Sequence, residues 1–237
     1  AVSQVVFASA KDSLRPVLTG VLWEFLKKKV RLVATDGFRL AVEEISVDTK
    51  TELTSLLVPS RVVMEVVRLA GEEKVVVGHL PATNQIYFVV GETQIVSQLL
   101  SGNFPDYKAI IPQTFKTHTV LSTIGLLKAC KQAEIIAREG TNVARLDIQP
   151  ETAGEHTATL ELTAVSEQTG SSEITVDASV DGNPLLVAFN VRFLREVLEV
   201  IKTPNVMLET NAANTPGLIR SVGDDSFKHI IMPMHIT

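Results

Sequence analysis

The sequence predicts an α+β protein of two repeated domains, each an antiparallel sheet with helices on one face. Three observations carry this reading. Short β-rich runs closed by turn residues recur along the chain, and three segments show the i, i+3, i+4 apolar spacing of amphipathic helices. One of those helices, with its flanking strands, occurs twice.

In the first half, Val30–Ala34, Lys74–Val77, Gln85–Val90 and Thr93–Leu99 read as strands, with Gly91-Glu92 as a hairpin turn. The second half adds Ala144–Ile148, Thr157–Ala164, Ser172–Val176, Val206–Thr210 and Gly217–Val222, with the polar stretch Pro150–His156 as a hairpin loop. Ser60 is placed to cap a helix over 60–70, whose stripe is Val62, Val63, Val66, Val67 and Leu69. Ser122 would cap a helix over 122–139 with Leu126, Leu127, Cys130, Ala133 and Ile136 on its apolar side. Asn190 would cap a third over 190–202, with Phe193, Leu194, Val197, Leu198 and Ile201. Val2–Ala10 reads as the tail of a further helix, and a chain that begins at Ala1 without Met reads as a fragment.

Val58–Val67 aligns with Phe189–Leu198, pairing Arg61 with Arg192, Glu65 with Glu196 and Val66 with Val197. A strand precedes each copy (Val30–Ala34, Leu160–Ala164), and another follows (Lys74–Val77, Val206–Glu209). The expected domains are therefore 1–114 and 115–237, joined near Pro112–Lys116.

Composition narrows the function classes. With 237 residues, 45% hydrophobic and 21% charged, the chain can bury a large core, which excludes general disorder. A formal net charge of −5 argues against a sequence-specific DNA binder of the strongly basic kind. A single cysteine excludes a disulfide framework and a Cys-based zinc cluster, and fits a reducing, cytoplasmic setting. The apolar runs fall well short of the roughly 20 residues a membrane span needs, so no membrane association is expected. No signal peptide is read at the amino end, where Lys11 is the first charge.

Charge placement is more informative than net charge. The three helices carry Arg61, Arg68, Lys128, Lys131, Arg138, Arg192, Arg195 and Lys202 against five acids, while the rest of the chain is strongly acidic. These cations are either members of solvated ion pairs or a basic face for a polyanion such as a phosphate backbone.

No catalytic constellation is found. The five histidines show no His-Glu-x-x-His or Cys/His ligand spacing, and His229 and His235, expected to share one face of a strand, are too far apart to chelate. There is no nucleophile elbow and no phosphate-binding glycine loop. Thr35-Asp36-Gly37 reads as a structural turn and Cys130 as core. No metal and no cofactor are expected. A hydrolase using Asp36 with a histidine lacks any second base at sensible spacing.

Apolar residues recur instead where loops and ends belong: Leu18 after Arg15-Pro16-Val17, Phe38 and Leu40 after the turn, Phe104-Pro105-Asp106-Tyr107, and the ending Ile230–Thr237. Such residues complete a core or line an exposed groove, and methionine suits a groove that accepts several partners.

Taken together, these segments resemble the sliding-clamp family, the β subunits of bacterial DNA polymerase III. The resemblance rests on Arg15–Gly20, Ala34–Ala41, Val58-Pro59-Ser60, Gly102–Tyr107, Phe189-Asn190-Val191 and Met232-Pro233-Met234, in this order, and covers essentially the whole chain. It implies the second and third of three similar domains, the first being absent together with the opening strand and half-helix of the second. It implies a non-enzymatic subunit of a DNA-directed DNA polymerase complex. Such a subunit forms a ring from two copies joined head to tail, with helices inside and sheets outside, sliding on double-stranded DNA without reading bases. The partners implied are the polymerase III α subunit, the clamp-loader δ subunit and other proteins bearing the same short docking motif.

The resemblance further implies a peptide cleft walled by Leu18, Thr35, Gly37, Phe38, Arg39, Leu40, Pro105, Ile110, Asn190, Phe193, Ile230, Met232, Pro233 and Met234, with Arg39 and Asn190 as polar anchors. Family members commonly carry His where Phe38 stands and Arg where His235 stands, so His235 is not carried over. A two-domain peptide-binding adaptor that never encircles DNA is the alternative reading.

Overall fold

The computed structural model describes residues 1–237 apart from 13, 48–54, 72, 153–156 and 236–237. They divide into two units, Ala1–Asp106 and Tyr107–Thr237.

In the first unit, β1 (Gly20–Leu26), β2 (Lys29–Thr35), β3 (Arg39–Ser46) and β4 (Ser55–Pro59) form an antiparallel row ordered β4-β1-β2-β3. Val33 sits opposite Leu22 on one side and Val42 on the other, so the apolar residues of three strands stack. β4 runs directly into α1 (Ser60–Ala70). Here the expected cap is corrected. Ser60 is already helical, and Pro59 makes the entry with no side-chain cap, its ring supplying a preset φ of −54°. α1 turns Val63, Val66 and Ala70 inward against β1, β4 and the strand Gln85–Val90, and ends at Gly71, whose φ of +53° suits glycine.

Three further strands, β5 (Val76–Leu80), β6 (Gln85–Val90) and β7 (Thr93–Gln98), complete the unit as a separate antiparallel sheet. Ile86, Phe88 and Val90 alternate into the core, and the expected Gly91-Glu92 hairpin joins Val90 to its partner Thr93. β5 begins at Val76 rather than Lys74. The helix tail expected at Val2–Ala10 is instead two 3-10 turns, Val2–Gln4 and Val6–Ala8. Val2, Val5 and Val6 are β-branched, and so short a segment cannot recover the cost of helix nucleation.

The second unit contains β8 (Thr117–Ser122), α2 (Thr123–Ala137), β9 (Val143–Gln149), β10 (Thr159–Ser166), β11 (Gly170–Gly182), β12 (Leu185–Asn190), α3 (Val191–Val200), β13 (Asn205–Thr210), β14 (Gly217–Ser221) and β15 (Phe227–Ile231). Its strands run β12-β9-β10-β11-β8-β13-β14-β15. The long β11 serves two neighbours: Gly170–Asp177 pairs with β10, and Ala178–Gly182 with β8. The loop expected at Pro150–His156 lies partly outside the described residues.

Both predicted caps are present. Ser122 Oγ accepts from Gly125 N at 3.3 Å, and Asn190 Oδ1 accepts from Arg192 N at 3.1 Å. α2 buries Leu126, Ala129, Cys130, Ala133 and Ala137 against β10 and β11, and packs beside α3. Phe189 on β12 is fully buried against β14, where a Cβ on Gly217 would lie 2.8 Å from its ring. His229 is buried on β15, whereas His235 is exposed beyond the strand, so the two do not share a strand face.

The internal repeat is visible in the topology. The row β4-β1-β2-β3 matches β12-β9-β10-β11, and in each unit a helix follows the first strand of the row and leads into three antiparallel strands. β8 and α2 have no counterpart among the described residues of the first unit. None of the described helices is long and apolar enough to cross a membrane.

Candidate functional site

In the first unit, the residues expected to wall a peptide site gather at the turn between β2 and β3. Thr35 Oγ1 donates to Arg39 O at 2.6 Å and accepts from Gly37 N at 3.1 Å. Asp36 Oδ1 accepts from the backbone N–H groups of Phe38 and Arg39 at 2.9 and 3.1 Å. Gly37 takes a φ of +94°, the left-handed conformation such a tight turn requires. Arg15 donates from Nη2 to Asp36 O at 3.1 Å, tying the Pro16–Thr19 turn that carries Leu18 to the same place.

These bonds push Phe38 outward, 60% exposed, while Leu18 and Leu40 are buried beneath. Arg39 is not an open anchor, because only 4% of it is exposed. Its Nε meets Asp36 Oδ2 at 3.1 Å, its Nη2 donates to Phe7 O at 2.8 Å, and its guanidinium lies 5.2 Å from the Phe7 ring centroid. Pro105 is exposed.

The second unit supplies the other group. Met234 N donates to Ala188 O at 2.8 Å, laying the half-buried tail Met232-Pro233-Met234 along β12 just before Asn190. β12 is the end strand of its sheet, so the tail covers an edge that would otherwise stay open. Asn190 caps α3, and half-buried Phe193 stands in the first turn. Ile230 is fully buried in β15 and supports the tail from the core, and Ile110 is half-buried in the Tyr107–Ile110 turn.

Beside this group lies a cavity of about 610 Å³ lined by Thr141, Val143, Arg145, Thr163, Val165 and His235, among others. The sequence reading passed over it. The outward alternation of Val143 and Arg145 against Thr163 and Val165, opposite the buried Ala144, Leu146, Leu162 and Ala164, is the signal that marks this face.

The helix cations divide sharply. On α1, Arg68 Nε donates to Glu65 at 3.0 Å. On α2 and α3, Arg195 binds Glu134 at 2.6 Å and Glu199 at 2.8 Å, Arg192 binds Glu196 at 2.9 Å, and Lys131 binds Glu199 at 3.1 Å. Burial works against the Arg195 charge, but the hydrogen bond and charge of Glu134, then Glu199 and Glu196, hold its pKa above the ordinary guanidinium value. The second and third helices end at Ala137 and Val200, short of the expected 139 and 202, so Arg61 and Lys128 stand on helices while Arg138 and Lys202 lie just past the ends of α2 and α3. All four are exposed and form no ion pair among the described residues. Burial, followed by the charge of Glu134, pushes the Cys130 thiol up to about 12, which keeps it protonated at neutral pH. Among the described residues no group of three or more His, Cys, Asp or Glu side chains could hold a metal ion.

The chain is thus a duplicated α+β unit with helices packed on antiparallel strands, an apolar tail on a sheet edge and cations on helix faces. The family model for the DNA polymerase III beta subunit, central domain, matches residues 1–106, and that for its C-terminal domain matches residues 108–235. The chain therefore belongs to the DNA polymerase III β-subunit family. It is 28% identical over 235 residues to the beta sliding clamp of Staphylococcus aureus, a match covering 98% of this chain and 60% of that protein. It superposes on the DNA polymerase sliding clamp of Bacillus subtilis with a TM-score of 0.91 at 27% identity, covering 100% of this chain and 61% of that one. The corresponding values for the DNA polymerase III β subunit of Thermotoga maritima are 0.89, 29%, 100% and 62%. The chain thus spans about three-fifths of the relatives it matches.

Proposed function

We propose that this chain is the peptide-docking and DNA-tracking part of a replication sliding clamp. In that reading, it belongs to a head-to-tail ring of two subunits that encircles duplex DNA in the cytoplasm. The ring holds the replicative polymerase, the clamp loader and other motif-bearing proteins through a short peptide. The observation that carries the docking reading is the Met232–Met234 tail, pinned on β12 beside the capped start of α3. Its methionines and Phe193 offer adaptable apolar contact around one side-chain amide, the chemistry suited to capturing an apolar side chain beside a polar one. At the β2–β3 turn, exposed Phe38 is the contact residue, whereas Arg39 positions the turn. The uncommitted cations on the helices and just past their ends support the DNA reading, because exposed charges that make no base contact hold phosphates loosely enough to slide.

Fluorescence anisotropy of a labelled Gln-Leu-Ser-Leu-Phe peptide tests the docking site. Binding is expected at a Kd of about 1 μM, roughly −8 kcal/mol, and Met234→Ala is expected to weaken it by about 1 kcal/mol or more. Unchanged affinity in the variant would place the site elsewhere, and no binding by the folded chain would remove the docking reading.

A further inference from the structure

The basic character of the helices is concentrated in fewer side chains than the sequence implies. In the second unit, Lys131, Arg192 and Arg195 are matched by Glu134, Glu196 and Glu199 in one connected set of ion pairs. Three cations and three carboxylates make that set neutral. Its centre is Arg195, which reaches Glu134 on α2 with Nε and Glu199 on its own helix with Nη1, and has Glu196 at 3.6 Å from Nη2. Only 22% of its side chain is exposed, and Glu134 is equally covered. Glu139, the remaining acid of α2's end, accepts from Ser166 Oγ at 3.2 Å and Thr169 Oγ1 at 2.8 Å and so ties down the β10–β11 turn. Lys128, Arg138 and Lys202 are left exposed and without ion pairs among the described residues.

We infer that Arg195 is a positioning residue which fixes α3 against α2, and that the phosphate contacts of this unit are made by Lys128, Arg138 and Lys202. This rests on the DNA reading above and assigns which cations serve it. The planar guanidinium fork suits the bridging task, since one head can satisfy carboxylates on two helices at once, and a lysine ammonium cannot reproduce that geometry. A cation held within a neutral set of ion pairs releases few counterions from DNA, whereas each free one displaces about 0.9 of a counterion per phosphate neutralised.

The test is the salt dependence of binding to a labelled random-sequence duplex, measured by anisotropy on the whole chain. Lys128→Ala and Lys202→Ala are each expected to flatten the slope of log affinity against log salt by about 0.9. The double variant Arg195→Met/Glu134→Gln removes a neutral pair, and is expected to keep the wild-type slope while lowering Tm by a few degrees. A flattening by the double variant as large as that of Lys128→Ala would overturn the inference.

Arg195→Lys supplies a second check. If the fork bridges two helices, the loss of Tm persists although the charge is kept; full recovery would show that charge alone matters and overturn the bridging role. If the wild-type chain bound no duplex, the DNA reading would fail. The positioning role would then be decided by Tm alone: losses for Arg195→Met and Glu134→Gln that fail to add support it, and additive losses refute it.

Discussion

Removing the Arg39 side chain would leave the Asp36 carboxylate and the Phe7 carbonyl without a charged donor at a site that is almost closed to water. Arg39→Ala should therefore cost about 3 kcal/mol in urea unfolding. Phe38→Ala, one position earlier, should change stability by less than about 0.5 kcal/mol because its ring is mostly in solvent. If Phe38 is a docking contact, the same variant should weaken peptide binding by about 1 kcal/mol or more. The two residues thus separate along different measurements, and an Arg39 variant with wild-type stability would contradict the buried ion pair. Cys130 gives a pH-dependent case. Burial pushes its thiol up to about 12, from an ordinary value near 9.0, so the native state favours the neutral form. That contribution is complete below pH 9 and is lost as pH rises from there towards 12. At pH 8 the thiol should resist a disulfide reagent such as DTNB in the native protein and react at once in urea.

At the scale of elements, the two repeated helices differ in what covers them. α3 packs beside α2, and Val197 is fully buried. α1 is instead touched by the Val2–Gln4 and Val6–Ala8 turns, and Val63, Val66, Val67 and Ala70 line a cavity of about 560 Å³ with Trp23, Phe25, Phe88 and the first residues Ala1, Val2 and Ser3. Val197→Ala should accordingly cost about 2–3 kcal/mol, and Val66→Ala about 1, because a methyl lost beside an existing cavity forfeits fewer contacts. Equal losses in thermal unfolding would show that α1 is as tightly packed as α3.

The same elements show what the sequence made legible. Caps and apolar spacing located α2 and α3 closely, and the matched segments Val58–Val67 and Phe189–Leu198 revealed the repeat, because both signals are local. β1 and β3 are hard to read in the sequence because their apolar runs are interrupted by Glu24 and by Glu43-Glu44. Only pairing explains part of this pattern: Arg31 on β2 stands opposite both Glu24 and Glu44, at 3.2 and 2.6 Å, and the Arg31 hydrogen bond draws the Glu44 pKa below its usual range. In the candidate site, the apolar ending was readable as composition. The burial of Arg39 was not, since it depends on Phe7, far away in the sequence.

For the whole molecule, the chain carries one tryptophan and one cysteine, and they fall in different units: Trp23 on β1 of the first and Cys130 on α2 of the second. Each reports its own unit without labelling or mutation. The second unit joins eight strands in one continuous order and buries two helices on them, whereas the first divides its strands into a row of four and a sheet of three. Stability follows buried apolar contact, so the first unit should open at lower temperature or urea concentration than the second. The shift of Trp23 fluorescence is therefore expected to precede the loss of Cys130 protection from the thiol reagent, giving two midpoints separated by several degrees in Tm. Coincident midpoints would mean that the two units unfold as one cooperative body. A reversed order would show that dividing its strands between two sheets does not weaken the first unit.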